Sequence, residues 1–201
     1  MSDKYKSPKE SSGKSRRRVV RYKAMAALVQ HEPPAPEEFA EILARHHEFI
    51  ESGGGGGSWH TFATGGPGTG VVFGVYVGQE HEETAGAQAQ LEHARLDGLD
   101  LRGVQLAFAD LCGVSCRDQD LGGADLSGSL LTDADFSGTS LQGANLSGAD
   151  LSRSDLVRCN LRDADLINAD FENADLTGAD LRGARTEGAL FTNAQLEQVL
   201  R

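Results

Sequence analysis

From Leu96 to Leu196 an apolar residue recurs at every fifth position without a break in phase, and 19 of these 21 sites hold Leu or Phe. The exceptions are Cys116 and Thr186. Neither regular element accommodates this period. Five residues turn an α-helix by about 500°, which would send the leucines spiralling around it rather than along one stripe. On a straight strand five is an odd step, so successive leucines would face opposite sides. Every Leu can point inward only if the chain turns a corner once per pentad.

The residues around the central Leu or Phe supply that corner. Two positions earlier Ala occupies 13 of 21 sites, and the position immediately before holds Asp or Asn in 13 of 21. Two positions later Gly occupies 11 of 21, as at Gly98, Gly103, Gly123 and Gly128. Gly gives the backbone freedom for a tight turn, and Asp or Asn favours turns through its short polar side chain. The consensus reads Ala-Asp-Leu-x-Gly.

This pattern resembles the pentapeptide-repeat family, whose motif is Ala-(Asp/Asn)-Leu-x-x, over residues 94–198. The resemblance implies a mainly β fold: a right-handed quadrilateral β-helix with four repeats, or 20 residues, per coil and about five coils over 91–201. Leucines twenty apart then stack. Leu101, Leu121, Leu141, Leu161 and Leu181 form one ladder. Leu106, Leu126, Leu146 and Leu166 form another that ends at Thr186. Each buried Leu or Phe contributes about 1.5–3 kcal/mol, so the axis is a filled core with no room for a pocket. Cys116 and Cys159 fall at inward sites and read as buried apolar residues, whereas Cys112 falls at an outward one. The three cysteines fit no metal spacing and read as reduced thiols.

Function is therefore expected on walls, corners and ends. Stacked pre-Leu acids give one acidic column at Asp135, Asp155 and Asp175 and another at Asp150 and Asp170. The resemblance implies one use for such columns, since some pentapeptide-repeat proteins imitate DNA and bind DNA gyrase. The residues also support a plainer reading, in which Asp forms turns and keeps the surface soluble. Against DNA's one charge per ~1.7 Å, residues 94–201 carry eighteen Asp and Glu offset by nine Arg. An arginine strip is the other candidate surface: Arg102, Arg162 and Arg182 share one wall site with Gln142 between them, and Arg153 and Arg158 sit at corners. At the C-terminal end Phe191, Leu196, Val199 and Leu200 suggest an end-to-end contact between two copies.

The chain ahead of the repeats differs in character. Residues 1–23 hold nine Lys and Arg against two acids, on a protein whose formal charge is −11. Residues 1–18 are expected to be a disordered basic tail. The cluster Arg16, Arg17, Arg18, Arg21 and Lys23 could tether the chain to nucleic acid or an anionic membrane surface. Residues 19–57 read as a helical leader with a Gly-rich linker. Its stronger helix starts at Pro36 and carries Phe39, Ile42, Leu43, His46, Phe49 and Ile50 on one face. Adjacent His46 and His47 make a poor metal pair and are expected to pack or face solvent. Residues 58–90 read as a β-hairpin with a Gly-rich turn at 65–70. That turn lacks the Lys and Ser/Thr of a phosphate-binding loop, having Val71 and Val72 instead. Helix and hairpin together are expected to cap the first coil, because an open solenoid end exposes core and unpaired edges.

No acid–base pair, activated nucleophile or metal-ligand spacing can be assembled, so no catalytic, cofactor or metal residue is assigned. The reading is a non-enzymatic protein-binding scaffold. No apolar run or secretory signal stands out, which places it in the cytosol.

Overall fold

The computed structural model describes residues 16–20, 33–51, 58–64, 71–80, 89 and 91–201. From residue 91 the chain winds as a right-handed quadrilateral β-helix. Parallel bridges join residues twenty apart, from Arg95↔Ser115 to Asp180↔Leu200. Two bonds recur at each step. The N–H of a central residue donates to a carbonyl in the next coil, as Leu146 to Asp165 at 2.8 Å. The N–H before it donates to the previous coil, as Asn145 to Ala124 at 2.9 Å. Within each pentad a third bond closes the corner: the N–H of Ala144 donates to the carbonyl of Leu141 at 3.0 Å.

The corner explains the Gly preference. The residue two after each central Leu has positive φ throughout, from 54° at Asp118 to 78° at Gly98. This is the left-handed geometry that the third residue of a type II turn requires. Gly takes it freely, and Asn and Asp tolerate it better than other residues. Yet His93, Phe108, Arg153, Arg158 and Gln198 adopt it too, because the bonds to neighbouring coils impose it on whatever side chain stands there.

Four walls result, each named by its central ladder. Wall I carries Leu96, Cys116, Phe136, Leu156, Leu176 and Leu196. Wall II carries Leu101 to Leu181, wall III Leu106 to Thr186, and wall IV Leu91, Leu111, Leu131, Leu151, Phe171 and Phe191. The ladder residues from Leu96 to Leu176 are at most 2% exposed. Phe171 and Phe191 stack in parallel at 5.0 Å. Where a hydroxyl replaces Ala beside the ladder, a backbone carbonyl receives it: Ser129 donates to Leu126, Ser154 to Leu151 and Thr139 to Cys116, each at 2.6 Å. Without such a partner each buried hydroxyl would cost about 1–3 kcal/mol.

Ahead of the coil stand β1 (Arg16–Val20), α1 (Pro36–Phe49), β2 (Ser58–Thr64) and β3 (Val71–Glu80). The three strands form an antiparallel sheet in the order β1-β3-β2. Arg16–Arg18 thus stand in a strand where a disordered tail was expected, and Val19 and Val20 continue it rather than opening a helix. Two consecutive β-branched residues favour the extended chain. Residues 1–15, with Arg21 and Lys23, lie outside the described residues, as does the turn at 65–70. In α1, Phe39 packs into the core cluster that includes Ala89, Leu91 and Leu96, with Ile42 and Leu43 against it. His46 and Phe49 are each 1% exposed, whereas His47 lies at the surface 3.2 Å from Glu51.

Candidate partner-binding walls

Each wall presents, per coil, the residues flanking the central Leu. The pre-Leu acids have a local duty. Asp135, Asp155 and Asp175 on wall I accept through Oδ1 the N–H two residues on, from Ser137 at 3.1 Å, Val157 at 3.0 Å and Thr177 at 2.9 Å. Asp150 and Asp170 on wall IV do the same for Ser152 at 3.0 Å and Glu172 at 2.9 Å. Asn performs it equally: Asn145 accepts from Ser147 at 3.1 Å and Asn160 from Arg162 at 3.2 Å. The consensus Asp is therefore a turn-former, and its charge is not needed for the bond. These bonds also fix each carboxylate in place, so acids bridged twenty residues apart repeat at about 4.8 Å.

Arginines on the walls mostly bind back to the coil. On wall II, Arg102 lies 3.4 Å from Asp120, Arg162 3.6 Å from Asp180, and Arg182 2.6 Å from Asp180. Arg117 reaches Asp135 at 2.9 Å and Arg185 reaches Asp165 at 2.8 Å. Arg153 grips Asp133 with two bonds, at 2.8 Å and 2.6 Å. These are exposed or half-exposed pairs that solvent screens, so each contributes little to stability. The Arg182 guanidinium, with a backbone N–H and Arg162 nearby, holds the Asp180 carboxyl well below the usual carboxylate range.

The structure thus divides the expected arginine surface. Arg102, Gln142, Arg162 and Arg182 do share wall II, and Arg158 stands at the corner beside it. Arg153 stands at the corner between walls IV and I, a full wall away. Of these arginines, only Arg158 makes no ion pair among the described residues. Every pairing at a separation of 18 or 20 residues joins one coil to the next. That signal is visible in the sequence once the 20-residue coil is assumed.

The larger unpaired set is acidic. Asp155 and Asp175 on wall I, and Asp150, Asp170 and Glu172 on wall IV, make no ion pair among the described residues. The two sets flank a common corner. Repulsion within wall IV registers at Asp170, whose carboxyl is pushed up by desolvation first and by Asp150 and Glu172 in addition.

Wall IV departs from its expected form nearer the N-terminus. Cys112, expected to face solvent, is 1% exposed, and its thiol donates to the carbonyl of Thr132 at 3.1 Å. Burial, reinforced by Asp110 and Asp133, pushes that thiol up. Thr132 is 0% exposed, and Leu130 is 1% exposed although it stands where the repeat places Asp. This stretch is covered and not available to a partner; period alone gave no sign of it. At the far end Leu190 is 54% and Leu200 48% exposed, while Phe191, Leu196 and Val199 pack partly against the core.

A filled axis and corners at every fifth residue define a closed β-solenoid of the repeat class. The model of the pentapeptide repeats matches eight copies between residues 87 and 199, so the chain belongs to the pentapeptide repeat family. Among solved structures, it is similar to QnrB1, a plasmid-mediated fluoroquinolone resistance protein, at 24% identity over 55% of this chain and 55% of that one (TM-score 0.43). It is similar to a pentapeptide repeat protein of the cyanobacterium Cyanothece 51142 at 25% identity over 56% and 84% of the two chains (TM-score 0.30). A third is HetL of Nostoc sp. strain PCC 7120, a pentapeptide repeat protein involved in heterocyst differentiation regulation, at 29% identity over 56% and 63% (TM-score 0.22). The match thus spans about half of the QnrB1 chain. No curated protein matches the sequence. Among the described residues no helix is long and apolar enough to cross a membrane, and no group of His, Cys, Asp and Glu is placed to hold a metal ion.

Proposed function

We propose that the coil is a non-enzymatic scaffold that offers the acidic corner between walls IV and I to a basic protein surface. One observation carries this reading. Most of the arginines are held by bonds within the coil, whereas Asp150, Asp155, Asp170, Asp175 and Glu172 make no ion pair among the described residues and outnumber Arg153, the arginine that stands at their corner and is itself paired to Asp133. Such a surface steers a cationic partner and gives binding that weakens with salt. The α1 helix, packed on the start of the coil, serves as its N-terminal cap.

Asp→Asn replacement tests the charge without disturbing the turn, since Asn already fills the same site at positions 145 and 160. With immobilised wild-type protein, capture of the partner should fall as salt rises, and the Asp155→Asn/Asp175→Asn variant should lose most of it. Equal capture by both proteins refutes the acidic surface.

A narrower reading makes the partner DNA gyrase, with the acid columns standing in for phosphates. The same unpaired acids favour it. It predicts that purified protein alters gyrase supercoiling or its inhibition by a fluoroquinolone; unchanged activity in both assays removes gyrase and leaves the broader proposal standing.

A further inference from the structure

His46 sits at the one described joint between α1 and the coil. Its imidazole is 1% exposed and stacks on Phe49 with ring centres 5.7 Å apart. Nδ1 accepts a hydrogen bond from the backbone N–H of Ala89 at 3.0 Å. An accepting Nδ1 carries no proton, so the neutral ring holds its proton on Nε2. Nε2 is itself buried without a hydrogen bond of good geometry, although the backbone of Ala107 lies close enough to favour a proton there.

We infer that His46 is an acid-sensitive latch: while neutral it fastens α1 to the first coil, and its protonation releases the helix. The reason is geometric. Protonating Nδ1 would set an N–H donor against the N–H of Ala89, turning the bond into a clash of two donors. It would also place a charge on a ring that is 1% exposed and stacked on Phe49, where among the described residues only the backbone of Ala107 favours it. From α1 the titratable group acting on His46 is His47, whose charge opposes a second one. From the coil His46 meets backbone at Ala89 and Ala107; the titratable residue bonded to Ala89 is Asp110, whose N–H donates to the Ala89 carbonyl at 3.0 Å, and Glu92 and His93 are the nearest along the chain.

Burial lowers the His46 imidazole from 6.5 to about 4, with His47 adding to the effect. The sign follows. A released α1 binds the proton more tightly than a docked one, so docking is fully stable above about pH 6.5 and weakens as pH falls towards 4. With those two values, the opening equilibrium of α1 should rise roughly 25–30-fold between pH 7.5 and pH 5.0.

Hydrogen exchange of the α1 amides and of the Ala89 amide, corrected for intrinsic pH dependence, reads this directly in the full chain. Protection should drop by that factor in the wild type. It should stay level in His46→Asn, whose amide oxygen can still accept from Ala89 but does not titrate. Wild-type protection that ignores pH, or an equal drop in the variant, overturns the latch. Should His46→Asn already be open at pH 7.5, the wild-type imidazole titration decides: a midpoint well below 6.5 supports the latch, and one near 6.5 with α1 docked refutes it.

Discussion

The corners give the sharpest test of the architecture, because the sign of the effect, not only its size, follows from the backbone. Gly143 has φ +66°, and a Cβ built there would meet nothing within 4 Å. Gly143→Ala therefore isolates the backbone cost. Holding a non-Gly residue in the left-handed region costs about 1–2 kcal/mol. The stiffer unfolded chain returns about 0.4–1 kcal/mol. The net is a loss of about 0–1.6 kcal/mol. Gly113 also has positive φ, but a Cβ there would collide with the His93 imidazole, so Gly113→Ala should cost more than Gly143→Ala. Arg158 runs the experiment backwards. It holds φ +56° at an exposed corner with no ion pair among the described residues, so Arg158→Gly should be neutral or stabilising, by up to about 1 kcal/mol. Guanidinium unfolding followed by circular dichroism, comparing midpoints at unchanged slope, measures all three. A stabilising Gly143→Ala together with a destabilising Arg158→Gly would mean that these residues do not turn left-handed corners, and the coil geometry would be wrong.

Two further outcomes follow. Leu146 is 0% exposed in the middle of its ladder, so Leu146→Asp, which buries a carboxylate in place of an apolar side chain, should abolish folding. Ser147→Asp, at a half-exposed outward site, forfeits one hydrogen bond to Asn145 and should cost under about 1.5 kcal/mol; similar damage from both would deny that 146 points in and 147 out. At wall II, Asp180 should stay ionised below the usual carboxylate range, and Arg182→Gln should bring its titration back up, as read by NMR. Because its carboxyl is held down in the folded state, the stabilisation it brings is present above its unfolded value, about pH 3.9, and fades below. A titration unmoved by the substitution would show that Arg182 is not the cause.

How much was legible in the sequence depends on how local the cause is. The period of five requires a corner, and a corner requires either glycine or a residue forced into its place, so the coil could be read from Leu, Ala and Gly alone. Its side-chain bonds were half legible. Asp before Leu was read as a turn-former, and Asp155 now shows the bond, to the N–H of Val157. The pairing of Arg102 with Asp120, or Arg162 with Asp180, needs only the number 18 and was within reach. By contrast, nothing in the spacing of Cys112, Leu130 and Thr132 distinguishes them from exposed neighbours on the same wall, because the period sets which residues point inward and not which outward ones are covered. His46 differs from His47 only by which side of α1 meets Ala89, a fact that exists once helix and coil are together.

That division bears on where function resides in such a fold. In a solenoid whose every inward site is filled, inward substitutions change stability and little else, so a binding role must be written in the three outward residues of each pentad. One of those is committed to the corner and another to the turn-forming bond. The second task accepts Asn as readily as Asp, as Asn145 and Asn160 show. Charge at that site is therefore free to vary without structural cost, and a run of Asp that makes no ion pair among the described residues is information the fold itself did not require. The acids flanking the corner of walls IV and I form such a run; the aspartates gripped by Arg117, Arg153 and Arg182 do not. A surface that costs the fold nothing to lose, yet gathers like charges close enough for Asp150 and Glu172 to act on Asp170, is the surface on which the proposed cationic partner should be sought.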